Sequence, residues 1–399
     1  MPISSRSILL TAGDVSGDVH TAALARALLE RDPTLKLHVL GGARLREVVA
    51  ESPTSTFLGD TSHCSAIGIL SAVKIYFRCR QLRARLLEFL KTHQIDAAVL
   101  CDWGAFNGHL MPELKARGIP ILYYFPPRSW QRSGSSGLGI LPYVNRVATP
   151  FAWSAERLQA AGGRAEWVGH PSIENAHSSE ERAALRRKFG VSPDETLVAL
   201  LPGSRRSELS VLAPRMTQTA KVMNAQRAVR FIAVVPRELA GEARQHFPPS
   251  IGVVVDCASE LLVAADAAVV KTGTACLEAV LARTPHVAVY DVSVAGRAEW
   301  ALLWAWKRIP FFAMPNIILG REAVPELIGL HCRPERIAVE LNRLLDDPEV
   351  RAQAARDFAQ VRQALGSELP VPPTERTAQI LEEMLRETSA HPVPAQAAV

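Results

Sequence analysis

Short apolar runs rich in Val, Ile, Leu and Ala recur along this chain, each followed by a polar turn and a helix-like segment, and that alternation leaves few folds open. The first series reads ILLTAG, a helix from His20 to Glu30, KLHVLGG, a helical stretch over 71–92, DAAVLCD, PELKARG, IPILYYF, NRVATPF and AEWVGH. Strands buried on both faces read as continuous apolar runs, and crossovers between parallel strands are right-handed, so the order predicts an α/β fold built on a doubly wound parallel sheet. A second series starts at TLVALLPGSR and continues through RFIAVVP, GVVVD, AAVVKTGT and HVAVYD. Polar HPSIENAHSSEE, residues 170–181, is predicted as the linker. The expectation is therefore two Rossmann-like domains, 1–170 and 171–388, the final helices packing back on the first, with a disordered tail over 389–399. Facing each other, two such domains would line a cleft with the carboxyl ends of both sheets, where a nucleotide is the usual guest.

Two domains also suit a length of 399 residues, more than one core usually supports. No run of eighteen apolar residues occurs, and a strand beginning by Ile8 with a polar loop behind it does not read as a signal peptide, so a soluble, cytoplasmic protein is expected. The six cysteines lie far apart without a CxxC pair, which argues for reduced thiols and against a zinc site; neither a metal nor a cofactor is expected. A net charge of +5 suits anionic partners such as phosphates, nucleotides or acidic lipid. No nucleic-acid-binding motif accompanies it.

Three loops stand out. In LLTAGDVSGDVHTAALARALLE, residues 9–30, a buried strand runs into Gly, Asp and Ser before a helix, without the GxGxxG of a dinucleotide fold. In AAVVKTGTACLEAVLAR a strand ends at Val270, the loop Lys271, Thr272, Gly273, Thr274 follows, and a helix opens at about Ala275. Backbone N–H groups at a helix start, a glycine and flanking hydroxyls make a diphosphate cradle, with Glu278 one turn on and within reach of a ribose hydroxyl pair. In LLPGSRRSEL, Gly203 and Ser204 let an anion approach and Arg205 offers a guanidinium fork. Each loop alone also reads as a capped helix start with a solvated side chain.

The motifs AGDVSGD, the DxxxFN of CDWGAFN, VGHP, LLPGSR, KTGTACLEAVLA and MPNIILGRE (314–322) stand in the order and spacing of the lipid-A-disaccharide synthase family, which the chain resembles from about residue 7 to about residue 365. The resemblance implies a two-domain GT-B glycosyltransferase. Such an enzyme joins UDP-2,3-diacylglucosamine, the donor, to 2,3-diacylglucosamine 1-phosphate, the acylated glucosamine phosphate acceptor, by a β-1,6 bond with inversion. It releases UDP and needs no metal. Residue by residue, the resemblance implies that Asp102, matching the first Asp of the family's DAPDFN, removes the acceptor proton. Asp14, Ser16, Gly17 and the retained Asn107 bind substrate. Gly203, Ser204, Arg205, Thr272, Gly273, Thr274 and Glu278 hold the donor, with Asn316, Arg321 and Glu322 lining the same site. His170 of VGHP reads as a hinge or packing residue.

Acylated substrates imply work at the inner leaflet of the cytoplasmic membrane, and a homodimer is a further expectation. Residues 65–90 give a helical face with Lys74, Arg78 and Arg85 beside Ile75, Leu82, Leu86 and Leu90, which reads either as an interfacial element or as a core helix with a charged outside. Residues 296–306, with Trp300 and Trp304 one turn apart, pose the same choice and favour core. Departures from the family cluster on the acceptor side: Asp14 for Glu, Ala105 for the second Asp, and PPRSWQRSGSSG (126–137) for SPSVWAWR, with Trp130 kept. They leave open a different lipid or sugar acceptor, or a catalytically silent paralogue.

Overall fold

The computed structural model describes residues 6–62, 64, 69–132, 135, 137–175, 181–291 and 310–390. They form two compact units, one within Met1–Pro171 and Leu365–Val399, the other Ser172–Ala364. The first is built on a parallel sheet of β1 (Ser7–Ala12), β2 (Lys36–Gly41), β3 (Thr56–Asp60), β4 (Ala97–Cys101), β5 (Ile121–Tyr124), β6 (Arg146–Thr149) and β7 (Ala165–Trp167), in the spatial order β3-β2-β1-β4-β5-β6-β7. Helices α1 (Val15–Arg31), α2 (Ala43–Glu51), α3 (Ile69–Thr92), α4 (Gly104–Ala116) and α5 (Ala152–Ala160) run between strands.

The second unit carries β8 (Leu197–Leu201), β9 (Arg230–Val235), β10 (Gly252–Val255), β11 (Ala267–Lys271), β12 (His286–Tyr290) and β13 (Glu326–Ile328), in the order β10-β9-β8-β11-β12-β13. Its helices are α6 (Arg182–Lys188), α7 (Arg206–Asn224), α8 (Ala240–His246), α9 (Ala258–Ala264), α10 (Thr274–Leu281), α11 (Met314–Leu319), α12 (Pro334–Asp346) and α13 (Pro348–Ala364). The last helix, α14 (Pro373–Ala390), belongs to the first unit, where Leu381 and Met384 share a core with Leu24 and Leu28 of α1.

Alternate strand residues face opposite sides of a sheet, so Leu10, Val39 and Val99 pack toward α1 and α14 while Leu9, Leu40 and Leu100 pack toward α3 and α4. Each fully buried Leu or Val contributes roughly 1.5–3 kcal/mol, and these runs outweigh the surface ion pairs, such as Arg31 with Glu382 at 2.6 Å, that tie α14 to α1. Burial also settles α3: Leu82, Leu86 and Leu90 are core residues, so the apolar face that could have met a membrane is spent inside the protein from Leu82 onward. Among the described residues no helix is long and apolar enough to cross a membrane. Residues 65–68, the Ser and Gly residues 133, 134 and 136 of the altered loop, linker residues 176–180, the run over 296–306 and the tail from residue 391 lie outside the described residues.

Both sheets reverse their strand order beside their first strand, β1 lying between β2 and β4, and β8 between β9 and β11. At such a point successive crossovers leave toward opposite faces, and their loops part to open a crevice at the carboxyl ends of the strands. Pairing of Ala12 with Cys101 sets AGDVSGD beside CDWGAFN, and pairing of Leu201 with Val270 sets PGSR beside KTGT.

Candidate functional site

At the first of these points the chain turns sharply after β1. Asp14 caps α1, its Oδ1 accepting the Gly17 N–H at 2.7 Å. A side chain at Gly17 would place its Cβ 2.9 Å from that oxygen, and one at Gly13 would meet the Trp103 indole at 2.0 Å, so both glycines answer to the chain's own close packing. Ser16 is half-buried in the same turn. Asp18, the second acid of the motif, is buried and accepts the N–H groups of Gly42 (2.6 Å) and Arg44 (2.9 Å), capping α2.

Opposite this turn, Asp102 and Trp103 follow β4 with φ of 43° each, two successive left-handed residues without glycine. The surroundings hold them there. Tyr123 Oη donates to the Asp102 carbonyl at 2.6 Å, Asn107 Nδ2 donates to it at 2.9 Å, and Trp103 stacks on Phe106 with centroids 3.9 Å apart. Asn107 is wholly buried and its Oδ1 accepts from Thr11 Oγ1 at 3.0 Å. Expected among the substrate contacts, its amide is spent inside the chain, where it positions Asp102. The Asp102 carboxyl keeps solvent access although protein fills most of the space around it. That desolvation, with the negative charge of Asp14 adding and a Trp103 backbone hydrogen bond opposing, pushes it up to about 6.

At the second point Gly203 has φ +110°, and Arg205 caps α7 in extended backbone. Glu208, buried one turn into α7, accepts from Arg205 Nη1 at 3.0 Å, from Lys271 Nζ at 2.9 Å and from the Ser204 N–H at 3.1 Å. Gly273, φ +137°, caps α10, whose first turn opens at Thr274 with N–H groups that have no intrahelical carbonyl. Thr272, just before Gly273, is buried and its N–H donates to the Val289 carbonyl at 2.9 Å. Glu278, one turn on, is half-buried, and burial pushes its carboxyl up to about 6. Among the described residues no cluster of His, Cys, Asp and Glu side chains gathers as a metal site.

The family profile described as lipid-A-disaccharide synthetase matches residues 8–377. The chain belongs to the lipid-A-disaccharide synthase family. The chain is 35% identical over 368 residues to the lipid-A-disaccharide synthase of Myxococcus xanthus, covering 90% of this chain and 93% of that one. It is 30% identical over 386 residues to that of Geobacter metallireducens, covering 96% and 98%. Among solved structures it is similar to the calicheamicin glycosyltransferase CalG4 (TM-score 0.60, 14% identity, 97% of this chain and 100% of that one) and to the UDP-GlcNAc 2-epimerase of Neisseria meningitidis (TM-score 0.58, 10% identity, 96% and 100%). That likeness is one of fold, the GT-B build of two Rossmann-like sheets.

The PNxxxGRE turn is held together largely by its own side chains. All four hydrogen-bonding positions of the buried Asn316 carboxamide are taken: Nδ2 donates to Val324 O (2.9 Å) and Glu326 Oε1 (2.8 Å), and Oδ1 accepts from the N–H groups of Ala323 (2.7 Å) and Val324 (2.9 Å). Arg321 forks onto Asp357 of α13 at 2.7 and 3.0 Å, and Glu322 is exposed. Asn316 is therefore fully engaged in holding the turn, and Arg321, half-exposed, is anchored through its fork to Asp357. His170 is buried edge-on to Phe125 and His20, and burial lowers its pKa, so it is a neutral packing residue.

Glu208, Glu326 and Asp357 do not stand out in the sequence, and Lys271, named there within its loop, carries no role of its own in that reading. Only Glu208 carried a visible signal, its i,i+3 spacing from Arg205.

Glu278 supplies a first prediction. Its pKa in the folded protein lies above the ordinary 4.5, so the folded state holds the proton more tightly than the unfolded one, and this residue's contribution to stability is lost as pH rises from about 4.5 to about 6. Glu278→Gln is expected to raise the stability of the ligand-free protein by about 1 kcal/mol at pH 7.5 and to leave it unchanged at pH 4. Thermal unfolding at the two pH values checks this; an equal shift at both would show that the carboxyl's charge is not the cause.

Proposed function

We propose that this chain transfers 2,3-diacylglucosamine from UDP-2,3-diacylglucosamine to the 6-hydroxyl of 2,3-diacylglucosamine 1-phosphate, with inversion, forming the β-1,6 disaccharide 1-phosphate and UDP. The observation that carries the reading is Asp102: a carboxyl pushed up to about 6, held on strained backbone at the switch point of its sheet. A base with that pKa is ionised at neutral pH yet basic enough to take the proton of the attacking hydroxyl as the anomeric carbon parts from UDP. Asp14 and Ser16 meet the acceptor from the adjoining turn. In the second unit the first turn of α10, Arg205 and Lys271 meet the diphosphate and stabilise the charge that builds on the leaving oxygen. Glu278 takes the ribose hydroxyls, which supply its half-buried carboxylate with hydrogen bonds.

Exposed Tyr76 and Phe77, 61% and 57% accessible, lie on α3 beside exposed Arg78 and Arg85. They support contact with an anionic membrane surface through this end of the helix, aromatic rings at the headgroup level and guanidinium groups on lipid phosphate.

The test is a mass-spectrometric assay of the purified chain with both acylated substrates. The disaccharide 1-phosphate and UDP are expected in equal amounts. UDP release with some other acylated glucosamine and none with this acceptor would reassign the acceptor; no turnover with any acceptor, with UDP-sugar still bound, would leave a binding protein.

A further inference from the structure

Three features at the second switch point remain unused by that mechanism: the burial of Glu208, its position under Gly203, and its sharing between two cations. The Glu208 side chain is 8% exposed, Lys271 18% and Arg205 34%, so the carboxylate is the innermost member of the group. Its Oε1 receives both cations, at 2.9 and 3.0 Å, while Oε2 takes the Ser204 N–H. A Cβ at Gly203 would lie 2.3 Å from Oε2, so the glycine that promised an approach for an anion is already approached by one. Burial alone would raise the Glu208 carboxyl, but Lys271 and Arg205 outweigh it and hold it below its ordinary value.

Two cations gathered at one partly buried point repel each other unless an anion sits between them. A donor's diphosphate is such an anion, and it is absent for part of every catalytic cycle. We propose that Glu208 is the resident counter-ion of the diphosphate site, a positioning residue that holds Arg205 and Lys271 together when the site is empty and competes with the diphosphate for them when it is full. The inference rests on the donor reading above. Its consequence is that Glu208 weakens the hold on product UDP and so speeds its release, while keeping both cations in place for the next donor.

Calorimetric titration of the full chain with UDP, UMP and uridine, for wild type and Glu208→Gln, tests this. Removing one negative charge at this distance is expected to tighten UDP about tenfold, UMP less, and uridine not at all. Glu208→Asp, which keeps the charge, should stay within about threefold of wild type. Should Glu208→Gln fail to fold, Lys271→Met is expected to weaken UDP about tenfold and the double variant Glu208→Gln/Lys271→Met to return it to near the wild-type value. Equal or weaker UDP binding by Glu208→Gln, or a double variant no tighter than Lys271→Met, overturns the inference and leaves the donor reading standing. A wild-type chain that binds neither UDP nor uridine overturns both.

Discussion

Asp102→Asn is expected to lower kcat by about 10³-fold while leaving UDP affinity within about twofold, because a general base typically supplies 10²–10⁴ of rate and no part of nucleotide binding. Asn is the informative replacement. It tolerates the left-handed backbone, φ 43°, that Asp102 adopts, whereas Ala would add strain and confuse lost chemistry with lost geometry. For the unmodified chain, kcat/KM should rise with pH and level off above about 6, the pH at which the carboxyl ionises. Desolvation is the larger cause of that raised value and the charge of Asp14 the second, so Asp14→Asn should move the midpoint in the acid direction without removing it. A pH profile for Asp102→Asn that keeps both its height and its midpoint would assign the base to another residue.

The second large effect belongs to Gly13. Alanine there would bring a Cβ within 2.0 Å of Trp103 Cγ and 2.3 Å of two neighbouring ring carbons, atoms at the root of the indole that clear it only by breaking the stack on Phe106 or by moving the backbone. That backbone carries Asp102, and the indole is stacked on Phe106. Gly13→Ala is expected to cost about 1–3 kcal/mol of stability by overpacking, and to lower kcat by about 10²-fold through misplacement of the neighbouring carboxyl. Denaturant unfolding and steady-state kinetics on one preparation check both. Loss of stability with kcat intact would mean that the Trp103 ring swings aside alone and that the base does not depend on it.

Much of the fold was legible because its signals are local. Continuous apolar runs announce strands buried on both faces, and β1, β2, β4, β5, β8, β9, β11 and β12 each coincide with one such run. The edge strands β3 (TFLGD) and β13 (ELI) were not read, since an edge strand needs only one neighbour and can be short and partly polar. Helix α1 begins at Val15, earlier than the apolar periodicity suggests, because Asp14 caps it and polar Ser16 and Gly17 are carried inside its first turn.

For the site, the sequence by itself determined which loops carry chemistry: glycines, hydroxyls and charges at strand ends, in an order that matches one family. It could not say which of those side chains are already engaged. Asn316 and Asn107 look like ligand-binding amides in a motif, yet both are consumed by the chain, while Asp102 and Glu278 keep raised carboxyls. Only the tertiary structure decided this, because hydrogen-bond partners and desolvation come from residues remote in sequence. Glu208 and Lys271 stand 63 positions apart, and Tyr123 steadies the Asp102 carbonyl from 21 positions away. Local periodicity sets the elements; the reversal of strand order beside β1 and β8, a property of non-local pairing, brings the loops together and gives each charge its neighbour.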